Sequence, residues 1–257
     1  MIHPSAIIDA GAQISSSANV DAYAIVGANV EVGENCWIGP HVVLKGPTRI
    51  GKNNRIFQFC SIGEDPQDKK YQGESDSALE IGDNNIIREY CSINRGTRHG
   101  GGFTRIGDNN WIMAYVHIAH DCVLGNETVL ANNTTLAGHV SIDSFVILGG
   151  FTGVHQFCRI GEHSFSAIAS VILKDVPPFV MMSGNSAKPN GLNKEGLKRH
   201  GFSFDTIRKL KKAYKVVYRN GLLLKDALEE LDDSKIACAE VSQFVNFIEE
   251  SERGIAR

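Results

Sequence analysis

Four histidines and one aspartate in this chain have types and spacings that could do chemistry. The stretch "YVHIAHDCVLG" places His117 three residues before His120, with Asp121 directly after it. His139 and His155 follow at intervals close to 18 residues, each within one position of that spacing from His120. If the chain winds with such a period, His120, His139 and His155 share one edge, spread over roughly 10 Å at the usual strand spacing. Two chemistries suit them. Three neutral imidazoles can bind zinc and leave a coordination position open for a reacting water. Alternatively, one histidine is a general base, titrating near neutrality, with the adjacent carboxylate orienting it and its neighbours gripping a polar substrate. His3, His41, His99 and His163 fall off this edge and read as ordinary structural or solvated residues.

The element that would position these side chains is a repeat. Stepping by six from Ile8, an aliphatic residue recurs at Ile14, Val20, Val26, Val32, Ile38, Leu44, Ile50, Ile56 and Ile62. The register returns at Ile81, Ile87 and Ile93, runs again from Ile106 to Ile160, misses at Ser166 and closes at Ile172. Small residues such as Ala18, Ala24, Cys36, Cys60 and Cys122 lie four positions after the aliphatic. A period of six is neither helical nor that of a simple alternating strand. It fits a short extended segment and a turn, three of which make one coil of about 18 residues. Stacked edge to edge, such coils form a parallel β-helix with a filled interior, roughly 40 Å long at ~4.8 Å per coil. "DPQDKKYQGE" and "GTRHGGGFTR" interrupt the repeat as loop insertions.

At 257 residues, 42% hydrophobic and a net charge of −3, the chain suits one soluble domain with or without an appendage. "MIHPSAIIDAG" lacks the basic and apolar runs of a secretory signal, and no apolar stretch approaches the ~20 residues of a membrane span. Cys36, Cys60, Cys91, Cys122 and Cys158 take the small inward place of the repeat. They read as core, not as disulfides or zinc ligands, and the cytoplasm is the natural compartment.

The repeat stops at "KDVPPFV", where Pro177 and Pro178 end it. The expected fold is therefore mainly β, with a β-helix over residues 1–185 and a helical domain over 186–257. Ser203 and Asp205 suit a helix start, and Ile207, Leu210, Tyr214 and Val217 then share one face. Two further helices are expected in "LLLKDALEEL" and "EVSQFVNFIEES". Residues 186–220 are strongly basic between two acidic stretches, and Arg208, Lys209, Lys211, Lys212 and Lys215 cluster in the first helix. No aromatic platform accompanies these charges, so nucleic acid is the weaker reading and an acidic protein partner the stronger.

Taken together, "HIAHDC", "LANNTTLAGHVSI", "HQFCRIG", "KDVPPFV" and "NKEGLKRHGFS" resemble the UDP-N-acetylglucosamine 3-O-acyltransferase family of lipid A biosynthesis, over nearly the whole chain. The related N-acyltransferases of that pathway carry an extra domain before their hexads, whereas here the repeat begins by Ile8. The resemblance implies a left-handed β-helix and a homotrimer with its sites in clefts between prisms. It also implies transfer of a (3R)-3-hydroxyacyl chain, as an acyl carrier protein's phosphopantetheine thioester, to the sugar 3-hydroxyl. No metal and no other cofactor is required. N-acyltransfer to a 3-amino UDP-sugar, and less favourably a zinc enzyme like the γ-class carbonic anhydrases that share the fold, are the alternatives.

Residue by residue, the resemblance makes His120 the general base with Asp121 beside it, and Gly138 the backbone donor to the developing oxyanion. His117, His139, His155, Gln156, Asp68 and Lys70 match substrate contacts, Gln156 resembling a diphosphate contact. Asn193, Glu195 and Arg199 match nucleotide-binding positions, and His200 stands where the family has a second arginine. The five cations of the first long helix would receive the acidic carrier protein. Ile168 matches the residue against which the family measures its acyl chain, glycine in long-chain members. A branched side chain there implies a shorter donor, of about ten carbons. From its three consecutive glycines, the second insertion reads equally as a wall of the acyl cleft or as a plain flexible loop.

Overall fold

The computed structural model describes all 257 residues. Almost every hexad forms a short strand that ends on its aliphatic residue, as in Ile7–Ile8, His117–Ile118 and Val171–Ile172. Successive strands go to successive sheets, and each pairs in parallel with the strand three places on: Ile8 with Val26, Val26 with Leu44, His117 with Thr135. Three sheets of nine, eight and ten strands result, the sides of a prism. Because side chains alternate along a strand, the aliphatic points inward and the residue before it outward. Ile38, Ile62, Ile118 and Leu136 are fully buried. The expected parallel β-helix is what forms.

The turns show something the periodicity did not announce. The third residue after the aliphatic adopts left-handed backbone, with φ near 60°, at twenty non-glycine positions including Asp121, His139 and Phe157. Each such residue costs about 1 kcal/mol or more, and none of the twenty is β-branched, the type least able to adopt it. Stacking offsets part of the cost. Along one edge the rings of Tyr23, His41, Phe59, Tyr90 and Tyr115 lie 4.9–5.2 Å apart, nearly parallel. On another, Phe145 and His163 stack at 4.6 Å. Inside, the second asparagine of three "NN" pairs forms a ladder: Asn85 N–H donates to Asn54 Oδ1, Asn110 N–H to Asn85 Oδ1, and Thr128 N–H to Asn110 Oδ1.

Ser166 does not break the register. It lies buried in the aliphatic place, its hydroxyl 2.8 Å from that of Thr152. Buried Arg95 ties down the first insertion, donating to the Gly46 and Gly63 carbonyls and the Tyr71 hydroxyl and pairing with Asp65. The five inward cysteines are all buried, and no cysteine is in a disulfide.

Strand Val180–Ser183 continues one sheet, and Lys188–Leu192 then pairs with it antiparallel, closing that sheet. A boundary at residue 185 falls between these two strands. Five helices follow: α1 (Lys194–Arg199), α2 (Phe204–Arg219), α3 (Leu224–Glu229), α4 (Asp232–Ile236) and α5 (Ala239–Glu249). Asn193 caps α1 and Ser203 caps α2, each accepting from the N–H three residues on. One buried apolar cluster of 56 residues runs from the prism into these helices, so prism and cap share a core. No helix is long and apolar enough to cross a membrane.

Candidate active site

His120 lies at a prism corner, two residues beyond the buried end of strand His117–Ile118. Its Nδ1 is 2.7 Å from Oδ2 of Asp121, which sits in a left-handed turn and whose side chain is almost wholly buried. Three donors converge on that carboxylate: Thr97 N–H on Oδ1 at 2.8 Å, and the Thr97 hydroxyl and His120 on Oδ2. Burial opposes ionisation of Asp121, but the hydrogen bonds from His120 and Thr97, with the charge of His139, outweigh it and hold the carboxyl below its ordinary value. An ionised Asp121 accepts from Nδ1–H of His120, which leaves Nε2 as the ring's basic atom.

His120 and His139 meet edge to face, centroids 5.2 Å apart, and Nε2 of His139 is 3.6 Å from Asp121 Oδ2. His139 stacks in turn on Phe157 at 4.4 Å. Burial lowers the pKa of His139, with Asp121 pulling the other way, His120 adding to the lowering and Asp68 partly opposing it. Asp68 lies half-buried on the first insertion. His117 is held by the Ser92 hydroxyl, 2.8 Å from Nδ1. Burial and the charge of His120 lower its pKa, so it is neutral near pH 7.

Gly138 lies one coil beyond His120 and directly against its ring. A Cβ at Gly138 would be 2.6 Å from Cε1 and 2.9 Å from Nε2 of His120. Its backbone needs no left-handed angle, so space and not conformation requires glycine there. The Gly138 carbonyl accepts from Phe157, while its N–H donates to no protein acceptor.

Other expected residues are placed differently. His155 stands apart from the His120–Asp121–His139 group: it is exposed, and Nη2 of Arg253 from the C-terminal segment lies 2.8 Å from its Nδ1. The three-histidine zinc arrangement is thus not assembled. The compact cluster of potential ligand atoms, within 4.8 Å of one another, is His120, Asp121 and His139. Gln156 and Lys70 are exposed. Asn193 caps α1 and donates to the His163 carbonyl, Glu195 pairs with Lys198, and Arg199 is exposed. His200 packs edge-on against Phe145 and His163. On α2, Arg208 and Lys209 both pair with Asp205, whereas Lys211, Lys212 and Lys215 are exposed and make no ion pair. Ile168 is 70% exposed, so it is not core. The second insertion contributes Thr97 and Gly100 to the surroundings of Asp121. Sequence reasoning missed Thr97, Gly100 and Arg253; only the interruption of a strict repeat marked the first two.

Comparison with known proteins agrees with this geometry. Residues 29–64 and 103–138 match the bacterial transferase hexapeptide family, and residues 175–256 match the second domain of UDP-N-acetylglucosamine O-acyltransferases. A prism of hexapeptide coils with a histidine–aspartate pair on one edge is thus a hexapeptide-repeat transferase. An acyl-[acyl-carrier-protein]–UDP-N-acetylglucosamine O-acyltransferase from Thiobacillus denitrificans is 53% identical over 100% of this chain and 99% of its own length. One from Halorhodospira halophila is 52% identical with the same coverage. The solved UDP-N-acetylglucosamine acyltransferase of Francisella novicida superposes at a TM-score of 0.97, with 46% identity over 100% of this chain and 94% of that one. The chain belongs to the UDP-N-acetylglucosamine O-acyltransferase family.

Proposed function

We propose that this protein transfers a (3R)-3-hydroxyacyl chain from acyl carrier protein to the 3-hydroxyl of UDP-N-acetylglucosamine, the first step of lipid A biosynthesis, with His120 as general base. The observation that carries the mechanism is the His120–Asp121 pair. Asp121 holds Nδ1–H, so Nε2 of His120 can take the sugar hydroxyl proton as that oxygen attacks the thioester carbonyl. The carbonyl π electrons move to oxygen, and the Gly138 N–H, engaged by no protein acceptor, is the donor for that oxyanion. One such donor can be worth ~3 kcal/mol. Collapse of the tetrahedral intermediate breaks the C–S bond, and the Nε2 proton passes to the departing carrier thiolate. No residue is acylated, and the steps use no further cofactor.

His117, His139 and Asp68 line the sugar side of this edge. His155, Gln156, Lys70, Asn193, Glu195, Arg199 and His200 are assigned to the nucleotide and diphosphate, with His155 presented by Arg253. The unpaired Lys211, Lys212 and Lys215 form the landing surface for the acidic carrier protein, and Arg208 and Lys209 contribute through their shared Asp205. Ile168 limits acyl length. Exposed Tyr23, Phe59, Tyr115 and Phe151 leave more apolar surface than a monomer usually tolerates, which supports association of prisms through these faces; the assembly is assigned as a cytoplasmic homotrimer with these sites between prisms. His120→Ala tests the base: turnover should fall by orders of magnitude with folding and assembly intact. Near-normal turnover would remove His120 from the mechanism.

A further inference from the structure

We propose that Thr97 is a positioning residue for this reaction, and that the second insertion exists on this edge to clamp the Asp121 carboxylate onto His120. Resting on the assignment of His120 as base, this gives a role to a segment that otherwise only interrupts the repeat. Asp121 sits at a left-handed turn position, where other corners of the prism carry side chains that face solvent or stack, such as Asn29 and Phe157. A carboxylate there, left to itself, rotates freely into water.

The segment from Arg95 to Gly102 removes that freedom. Thr97 donates twice, its N–H to Oδ1 at 2.8 Å and its hydroxyl to Oδ2 at 2.7 Å, which fixes the carboxylate plane with Oδ2 on His120 Nδ1. Gly100, in the same turn, leaves the carboxylate no room to swing: a Cβ there would overlap the Asp121 carboxylate atoms. Below, the Thr104 hydroxyl accepts from Asp121 N–H at 2.9 Å. The clamp is itself braced. Gly96 N–H donates to the Ala78 carbonyl, Gly100 and Gly102 N–H to the Thr97 carbonyl, and Gly100 N–H also reaches the Thr97 hydroxyl oxygen. Two residues before Thr97, buried Arg95 reaches the first insertion through Asp65 and Tyr71, so both insertions are mechanically joined behind the catalytic pair. Thr97 touches neither substrate nor the reacting atoms; it acts through Asp121.

Thr97→Val keeps the backbone donor and the shape but removes the hydroxyl donor, whereas Thr97→Ser keeps both donors. A hydrogen bond to a charged group is worth about a tenfold change in rate or more. The expected result is a fall of about tenfold in kcat for Thr97→Val with the sugar KM within twofold of the parent, and recovery to within twofold of parental kcat in Thr97→Ser. Gly100→Ala, which crowds the same carboxylate, should reproduce the kcat loss. Parental kcat in Thr97→Val, or a serine variant no better than the valine one, overturns the clamp while leaving His120 as base. Full turnover in His120→Ala instead overturns the base, whatever Thr97 does. A purely structural role for Thr97 would lower thermal stability without splitting kcat from KM.

Discussion

Replacing Gly138 by alanine adds one methyl group directly against the ring of the general base. That carbon would sit 2.6 Å from Cε1, 2.9 Å from Nε2 and 3.2 Å from Nδ1 of the His120 ring. Carbon contacts are normally ~3.5–4.0 Å, so the imidazole must retreat by about 1 Å. It cannot do so freely, because Nδ1 is held at 2.7 Å by Asp121 and His139 stands edge-on to the ring. A misplacement of ~1 Å can cost ~10²-fold in rate, or about 2.7 kcal/mol of transition-state stabilisation at ~1.36 kcal/mol per decade. Gly138 lies outside the left-handed region, so alanine adopts the same backbone without dihedral strain and the oxyanion donor N–H remains. The assay is steady-state transfer from an acyl-carrier thioester, with kcat and the sugar KM measured separately, beside a thermal melt. Gly138→Ala should lower kcat about a hundredfold while the melting temperature moves by only a few degrees. A kcat within threefold of the parent would refute the reasoning, since the ring would then have room the geometry denies it.

Acidification should destabilise the fold. His117, His139 and His163 are held neutral chiefly by burial, so their folded values lie below the unfolded value near 6.5. The unfolded chain then binds protons first. Stability is complete above about pH 6.5 and declines as pH falls toward the folded values, by at most ~1.4 kcal/mol per pH unit per group and less for the partly exposed His139. Asp121 acts in a lower window: its depressed folded value adds stability above its ordinary value, lost as pH falls through the folded one. His163→Phe, which keeps the stack on Phe145, should flatten the melting-temperature slope between pH 7.5 and 5; a parent with no slope there counts against this account. Ile168→Gly should shift donor preference from about ten carbons toward fourteen, each newly buried methylene contributing ~0.8 kcal/mol, and a parent that already prefers fourteen removes Ile168 as the limit. Charge reversal at Lys211 and Lys212 should raise the KM for the carrier thioester several-fold in low salt, an effect that ~1 M salt erases by screening; an unchanged KM in low salt places docking elsewhere.

Much of this was legible in the residues. The six-residue step from Ile8 to Ile172 defined the prism because an inward aliphatic is required at every strand, and even Ser166 keeps its place by bonding to Thr152. His120 and His139 were brought to one edge by counting, since the coil length converts sequence separation directly into proximity. The count also put His155 on this edge, one residue after Val154 in register with Ile118 and Leu136, but not its ring's partner: Arg253 comes from the far end of the chain. Thr97 and Gly100 were invisible because an insertion has no register from which to project its contacts. Gly138 was marked only as a backbone donor, yet the reason glycine is required there is a ring on the neighbouring coil. Helix α1 went unmarked because six residues with a central glycine carry too little periodicity to stand out. The cations of α2 were visible, but not that Asp205 engages two of them.

The pairing of each strand with the one three places on makes the prism a rod ruled in equal divisions. Its length is adjusted in register only by whole coils, each adding about 4.8 Å, because a single added hexad would keep its aliphatic inward but carry every later residue to a different side of the prism. Duplication of a coil before Leu44 lengthens the rod and leaves the spacing from His120 to the helices untouched. Duplication between Ile142 and Ile160 keeps His120 and Asp121 as they are but lifts the lysines of α2 one division farther away. The distance from the catalytic corner to the cap is therefore inherited as an integer. A neighbouring prism in an assembly that must present its own cap to that corner is bound by the same integer.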